Sequence, residues 1–323
     1  MVSKEFEIAG YDMPCVDLAV NVDVFPKPNG GTGVNAMSWQ GGGKVATGMV
    51  AAARLGAKCA IMGAVGEDNY GKFCIEDFKA HGIDVSGMQV QQGKTTSLSI
   101  VISDKETRGR SIVYNAGTAQ LPTLEEIDGD IVTGCEYFFV SNLSPLAVAC
   151  AKKAKEAGAK IFIDADNYSE ALMENIGLID IFVGSEFVYN ALFPNDEDYE
   201  KNCRKVQEMG PQIVVFTLGG KGCVGLSNEG YFVMPTFDVP VIDTVGAGDV
   251  FHGAFLAGML QGWSVKEICR FGNAVSSIKV TRQGGRAGIP DMKTVQHFLE
   301  TWEIDYTEID KRVAFYGRSI QYV

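Results

Sequence analysis

Short runs of β-branched and aromatic residues alternate with helical patterns along most of the chain, the signature of a parallel sheet covered by helices. The runs at residues 6–10, 59–63, 138–141, 161–164, 181–184 and 213–218 predict strands. Between them, apolar positions recur at helical spacing over 45–55, stopped by Gly56, and over 146–157, stopped by Gly158. The pattern predicts an α/β fold of the doubly wound type, a mainly parallel sheet flanked by helices. Two segments, about 17–38 and 95–114, carry strand-like runs with no helix after them. They read as a small antiparallel β lid built from two sequence-distant pieces, set over the carboxyl ends of the parallel strands, where α/β folds bind ligands. A hairpin is expected from 223–226 and 231–234, turned by Ser227-Asn228-Glu229-Gly230. Ser264-Val265-Lys266-Glu267 is a capping box that starts a helix running towards Thr281.

A length of 323 residues fits one large α/β domain or two medium ones, and no tandem repeat, low-complexity tract or obvious linker divides it. With 28 Lys and Arg against 40 Asp and Glu, the net charge is −12, which argues against a nucleic-acid partner held by its phosphates. No apolar stretch approaches the ~20 residues of a membrane helix. The start, Met1-Val2-Ser3-Lys4-Glu5-Phe6-Glu7, lacks the basic and apolar regions of a secretory leader, so no membrane association and a cytoplasmic location are expected. The eight cysteines show no Cys-x-x-Cys pair or Cys/His cluster, so they read as buried free thiols. Glycine is the compositional outlier at 38 residues, and where it clusters, backbone must approach something closely.

Three glycine clusters are candidates for holding phosphate. Gly220-Lys221-Gly222-Cys223-Val224-Gly225 has the dinucleotide-binding spacing and follows a strand, but it leads into a turn rather than a helix, so the fingerprint fails. Gly93-Lys94-Thr95 ends like a phosphate loop, yet Met88 stands where that pattern needs glycine, so a plain turn is the simpler reading. Asp243-Thr244-Val245-Gly246-Ala247-Gly248-Asp249 differs, because its glycines open directly into the helical pattern 250–260. Free amides of a first helical turn converge on an anion there. A carboxylate in that turn, Asp249, is ordinarily just a favourable helix-dipole residue; beside an anion hole it also stands where phosphoryl transfer to a hydroxyl needs a base.

On these residues the sequence resembles the ribokinase-like (PfkB) carbohydrate kinases over nearly its whole length. One signature reads Asp243-Thr244-Val245-Gly246-Ala247-Gly248-Asp249-Val250-Phe251-His252-Gly253. The other reads Gly41-Gly42-Gly43-Lys44-Val45-Ala46-Thr47 and continues through Leu55-Gly56-Ala57 to Gly63-Ala64-Val65-Gly66-Glu67-Asp68-Asn69-Tyr70-Gly71. The resemblance implies a single kinase domain over 1–323, with Asp249 as the base and the amides of Gly246, Ala247 and Gly248 as the anion hole for the γ-phosphate of ATP. It implies a sugar pocket at Asp17, Gly42, Gly43, Lys44, Thr47 and Asp243. It puts ATP at Thr217, Gly219, Gly220 and Gly222, with Asn273 near the adenine. It also implies a potassium-type cation held by backbone around Asp243, Val245, Lys279, Arg282 and Gly284, and Mg²⁺ with the ATP phosphates.

Departures from the family pattern bear on the substrate. Thr47 replaces the usual Asn, Cys15 stands where an Asn often precedes the first-strand Asp, and Leu143 appears where ribokinase carries a sugar-binding Glu. These weaken ribose as the acceptor. The family's Asn-x-x-Glu motif reads Ser185-Glu186-Phe187-Val188, leaving Glu186 as the acidic group for the magnesium region. The segment Gly284-Gly285-Arg286-Ala287-Gly288-Ile289-Pro290 resembles a ketohexose-directed branch that includes sulfofructose kinases. Gly30-Gly31-Thr32-Gly33 offers no basic residue for a sulfonate, which favours a plain sugar. The expected activity is ATP-dependent phosphorylation of a monosaccharide hydroxyl, a ketohexose such as fructose. A nucleoside kinase of the same fold and a non-catalytic sugar or nucleotide sensor are the alternatives. His252 reads as a packing residue, and the apolar residues of 20–25 are placed to pair lids across a homodimer.

Overall fold

The computed structural model describes residues 4–107 and 109–318. Residues 1–3, read above for a leader, and residue 108 of the second lid segment lie outside the described residues. The strands, in chain order, are β1 (Phe6–Asp12), β2 (Cys15–Val22), β3 (Val34–Gly41), β4 (Cys59–Gly66), β5 (Asp84–Gln91), β6 (Ser97–Asp104), β7 (Arg110–Asn115), β8 (Cys135–Val140), β9 (Lys160–Ala165), β10 (Ile181–Ser185), β11 (Ile213–Thr217), β12 (Cys223–Ser227) and β13 (Gly230–Met234). The helices are α1 (Lys44–Arg54), α2 (Asn69–Ala80), α3 (Gly129–Thr133), α4 (Pro145–Glu156), α5 (Glu170–Asn175), α6 (Glu186–Leu192), α7 (Tyr199–Glu208), α8 (Ala247–Leu260), α9 (Val265–Lys279), α10 (Met292–Thr301) and α11 (Thr307–Arg318).

Nine strands form one sheet in the order β13-β12-β11-β10-β9-β8-β1-β4-β5. Strands β11 through β5 are parallel, and the β12–β13 hairpin adds antiparallel at one edge. The central strands are apolar throughout because both their faces are covered; every residue of β4 is buried. One face packs on α1, α8 and α9 through Val45, Met49, Phe251, Phe255 and Ile268. The other packs on α4 and α7 through Ala147, Cys150, Cys203 and Val206. Each fully buried Ile or Phe stabilises by roughly 1.5–3 kcal/mol, so two such faces make a rigid platform. The chain moves from β1 to β4 and β5 on one side, then returns to β8 and builds outwards on the other. The strand order therefore reverses between β1 and β8, and a crevice opens at their carboxyl ends.

The lid is a four-stranded sheet in the order β3-β2-β6-β7. Each of its two hairpins, β2–β3 and β6–β7, is antiparallel, and the central pair, β2–β6, is parallel. The parallel pair follows from the main sheet: β1 and β5 run the same way, and β2 and β6 continue from their carboxyl ends. All eight cysteines are free thiols, seven of them buried. Among the described residues no helix is long and apolar enough to cross a membrane.

Candidate functional site

Each of the three glycines before α1 makes room for one charged side chain. A Cβ at Gly41 would lie 2.0 Å from the Arg286 guanidinium, one at Gly42 would lie 2.4 Å from the Asp17 carboxylate, and one at Gly43 would lie 2.8 Å from that of Asp12. Gly43 also has φ 99°, a left-handed conformation that glycine adopts without penalty. Arg286 is fully buried and donates to the Gly42 carbonyl at 2.8 Å and to Asp77 at 2.5 Å. Its Nε donates to Thr47 Oγ1 at 3.3 Å, so the buried Thr47 hydroxyl is turned to Arg286 rather than into the expected sugar pocket. Asp17, expected with Gly42 in a sugar pocket, lies over Gly42; burial raises its carboxyl above the ordinary value, with Cys15 opposing through a thiol hydrogen bond. Lys44 opens α1 and donates to Asp166 at 2.6 Å, beside a cleft of ≈ 350 Å³ that also touches Asn142, Ala165 and Tyr168. Desolvation pulls the Lys44 ammonium down, but Asp166 and then Asp164 outweigh it and hold its pKa above the usual value.

The second glycine turn lies alongside. Helices α1 and α8 cross closely, because Gly48 and Gly253 let the backbones meet: a Cβ at Gly253 would lie 2.1 Å from the Gly48 carbonyl. The crossing brings the N-termini of α1 and α8 together. Gly246, at φ 74°, is the N-cap of α8 and supplies no capping side chain. The Ala247 N–H is spent on the Thr244 carbonyl at 3.2 Å, which leaves the Gly248 and Asp249 amides without a helical partner. Asp249 itself is half-buried, and its pKa is raised to about 7 by burial and by Asp164, while His252 and Lys44 oppose the shift. A carboxylate with that pKa is poised to exchange a proton near neutral pH.

His252 packs against Phe139, Phe162 and Phe251, as its sequence position suggests, yet its Nδ1 also lies 3.4 Å from Asp164. The contact is not a hydrogen bond, and both His252 nitrogens and Asp164 Oδ2 are buried without one. Desolvation lowers the His252 pKa, and the carboxylates around it, Asp164 foremost and then Asp249 and Asp166, more than restore it.

Thr217 ends β11, and the chain then makes a tight turn through Gly219-Gly220-Lys221. A Cβ at Gly219 or Gly220 would meet nothing within 4 Å, so this turn presents open backbone at the carboxyl end of the sheet. Gly222 is required for a different reason: at φ 92° its Cβ would lie 2.1 Å from the Met234 carbonyl. Asn273, expected beside a nucleotide base, has its amide nitrogen engaged inside the fold, next to the Gly222 turn. Its buried amide nitrogen donates to the carbonyls of Met234 at 3.2 Å and Pro235 at 3.0 Å, which ties the end of β13 to α9. Glu186 is exposed in the first turn of α6, next to Ser185, whose hydroxyl donates to the Asp166 carbonyl at 2.8 Å. Among the described residues no three His, Cys, Asp or Glu cluster as a metal site. Exposed Glu186 is a hard oxygen donor of the kind Mg²⁺ takes, one that nucleotide phosphates and water would have to complete.

The expected monovalent cation does not fit its donor set. The carbonyls of Asp243 and Val245 both accept from the Lys279 ammonium. The Lys279 carbonyl instead accepts from the Arg282 N–H at 3.1 Å. Arg282 turns its side chain to Asp310 at 2.7 Å, and the Gly284 N–H donates to Asp243 Oδ2 at 2.9 Å. The Asp243 carboxylate, expected in the sugar pocket, is thus buried and spent on the amides of Gly284 and Val245. Burial lowers the Lys279 pKa to about 8, with Asp243 and Asp249 opposing. Four side chains at the site, Asp12, Asp164, Asp166 and Arg286, carry no local sequence signal as partners of the glycine turns. Asp12 follows β1 with nothing to mark it, although its Oδ2 accepts the Ala46 N–H at 2.9 Å.

Residues 7–292 match the pfkB family carbohydrate kinase. The chain is 29% identical over 294 residues to the ribokinase of Haemophilus influenzae, covering 88% of this chain and 95% of that one. It is 27% identical over 317 residues to a nucleoside kinase of Methanothermobacter thermautotrophicus, covering 93% and 98% respectively. The crystal structure of ribokinase from Thermotoga maritima superposes with a TM-score of 0.79 at 28% identity, covering 92% of this chain and all of that one.

Proposed function

The chain belongs to the pfkB family of carbohydrate kinases and is a sugar or nucleoside kinase of the ribokinase type; from that premise we propose that it transfers the γ-phosphoryl group of ATP to a hydroxyl of a ketohexose such as fructose, with Asp249 as base. The observation that carries this reading is the Asp249 carboxyl, raised to about 7, on the first turn of a helix whose leading amides are open. As the acceptor oxygen closes on the phosphorus, Asp249 takes its proton and the leading amides of α8 stabilise the charge on the transferred group. Lys44 and His252 keep a fraction of Asp249 ionised before the proton moves.

Asp17 and the turn Gly42-Gly43-Lys44 orient the acceptor, and the open turn at Gly219 and Gly220 receives the nucleotide. Bound Mg²⁺ supplies charge neutralisation between the ATP phosphates, with Glu186 on the protein side. The lid excludes water that would otherwise accept the phosphoryl group. Gln283 supports coupling between lid and site, because its amide donates to the Ala19 and Ala36 carbonyls of the lid at 3.0 Å each. Exposed Val24, Phe25, Ile112 and Val113 support pairing of two lids in a homodimer, which sedimentation tests. Similarity to a nucleoside kinase favours a nucleoside as the second reading.

The test is ADP release from Mg-ATP across ketoses, aldoses, sugar acids and nucleosides. A ketohexose with the highest kcat/KM is expected. A nucleoside at the top of the ranking would replace the acceptor and leave the base in place, and ATP binding with no acceptor turned over would refute the kinase reading.

A further inference from the structure

Lys279 closes α9 with its side chain completely buried, at 0% exposure. Its ammonium donates to two backbone carbonyls, that of Asp243 at 3.1 Å and that of Val245. An ammonium taken out of water costs several kcal/mol, so a lysine is an expensive choice for a site that a methionine would fill. Its two partners flank Thr244, and the second directly precedes Gly246, the left-handed residue that starts α8.

In a trans peptide the C=O and N–H point in opposite directions. A cation that draws in the Asp243 and Val245 carbonyls therefore aims the N–H groups of Thr244 and Gly246 away from itself. The same pull fixes the turn from which the amides of Gly248 and Asp249 project. A second set of bonds holds this turn from the neighbouring loop, through the Asp243 carboxylate on the Gly284 and Val245 amides. The compact charge of an ammonium, with three donors, suits carbonyl ligation as a small monovalent ion does.

We propose that Lys279 is a positioning residue that serves as a built-in monovalent cation beneath the anion-hole turn, so that this enzyme needs no potassium or other monovalent metal ion. The proposal rests on the kinase reading for its effect on rate, while its effect on cation dependence of stability stands apart from that reading.

The test compares the wild-type protein, Lys279→Met and Lys279→Ala in potassium, sodium and tetramethylammonium salts at equal ionic strength. Thermal melting and phosphoryl transfer are both measured. For the wild type, melting temperature and kcat are expected to be the same in all three salts. Lys279→Met, which keeps the volume and loses the charge, is expected to lose kcat on the order of 100-fold, the size seen when an oxyanion donor is lost, with KM for the acceptor changing far less. Lys279→Ala opens a cavity, and potassium, but not tetramethylammonium, is expected to restore part of both kcat and melting temperature there, which a purely structural lysine would not allow. Activation or stabilisation of the wild type by potassium over sodium would overturn the proposal, as would wild-type kcat in Lys279→Met. If no acceptor is phosphorylated at all, the functional reading fails, and the melting comparison of the wild type still decides this one.

Discussion

Helices α1 and α8 begin in the same way and end with opposite uses. Each has a glycine N-cap at positive φ, 99° at Gly43 and 74° at Gly246, and neither cap supplies a side-chain hydrogen bond. At α1 the protein fills the vacancy itself: Asp12 reaches across from the end of β1 and accepts the Ala46 amide. At α8 no such carboxylate arrives, and the acid of the first turn, Asp249, is held at a pKa of about 7 instead. Two helix ends with one chemistry, packed side by side, thus differ in whether their anion comes from inside the chain. A helix N-terminus is favourable to any negative group. It becomes a site for an outside anion only where the fold withholds its own.

The largest effect comes from making α8 resemble α1. Gly248 is exposed, and a Cβ there would meet nothing within 4 Å, so Gly248→Glu places a carboxylate at the open amides without a clash. It is expected to lower kcat/KM on the order of 100-fold, while melting temperature stays level or rises with a gain of about 0.3–1 kcal/mol from the helix dipole. Steady-state kinetics beside a melting curve read both; unchanged kinetics would break the comparison.

Next is Gly246→Ala. The left-handed φ costs about 1–2 kcal/mol for a residue with a Cβ, and that Cβ would lie 3.0 Å from the backbone of Gly285. That cost is expected to appear as a lower melting temperature, and the displaced turn, by re-aiming the Gly248 and Asp249 amides, as a fall in kcat on the order of 10-fold, less than the loss of a whole oxyanion donor.

Asp12→Ala runs the exchange the other way. Losing the bond to Ala46 is expected to cost about 1–2 kcal/mol of stability, the size of a lost N-cap. The opened α1 terminus should then make melting temperature rise with added sulfate more steeply than in the wild type. A sulfate response equal to that of the wild type would contradict the view that Asp12 fills this end.

The last effect is a pH dependence of stability. The Asp249 carboxyl keeps its proton in the folded state up to about pH 7, against an ordinary value of 3.8. The folded protein therefore binds more protons than the unfolded chain across that window. The contribution of Asp249 to stability is full below about 3.8 and is lost as pH rises through about 7. The melting advantage of Asp249→Asn over the wild type is expected to grow between those values and stay flat outside them. Melting curves across that range check the sign.

Much of this arrangement is legible in the sequence, and the parts that are not share a cause. The runs that became β4, β9, β10 and β11 stand out because they are buried on both faces. Strand β5 does not, because its half-exposed sequence Asp84–Gln91 lies at the sheet edge and alternates polar residues. The antiparallel hairpins of the lid follow from local runs, whereas the parallel β2–β6 pair depends on where the main sheet aims their ends. At the site, the Gly246 turn and Asp249 are adjacent in sequence and announce themselves. Partners brought from afar do not: Asp12 meets Ala46 across 34 positions, Lys44 meets Asp166 across 122, and Lys279 reaches Val245 across 34. The motif positions of Thr47, Asn273 and Asp243 predict ligand contacts. Their hydrogen-bonding groups are used within the fold, a distinction that only the packing around Arg286, Met234 and Gly284 makes.

The most direct test of the central claim is the pH profile of kcat/KM for the best acceptor, measured for the wild type and for Asp249→Asn. The wild-type rate is expected to rise with pH to a plateau with an apparent pKa near 7, and the variant to lose about 10²–10⁴-fold in kcat together with that rising limb. A variant that keeps the wild-type rate, or keeps the same limb, would contradict that claim.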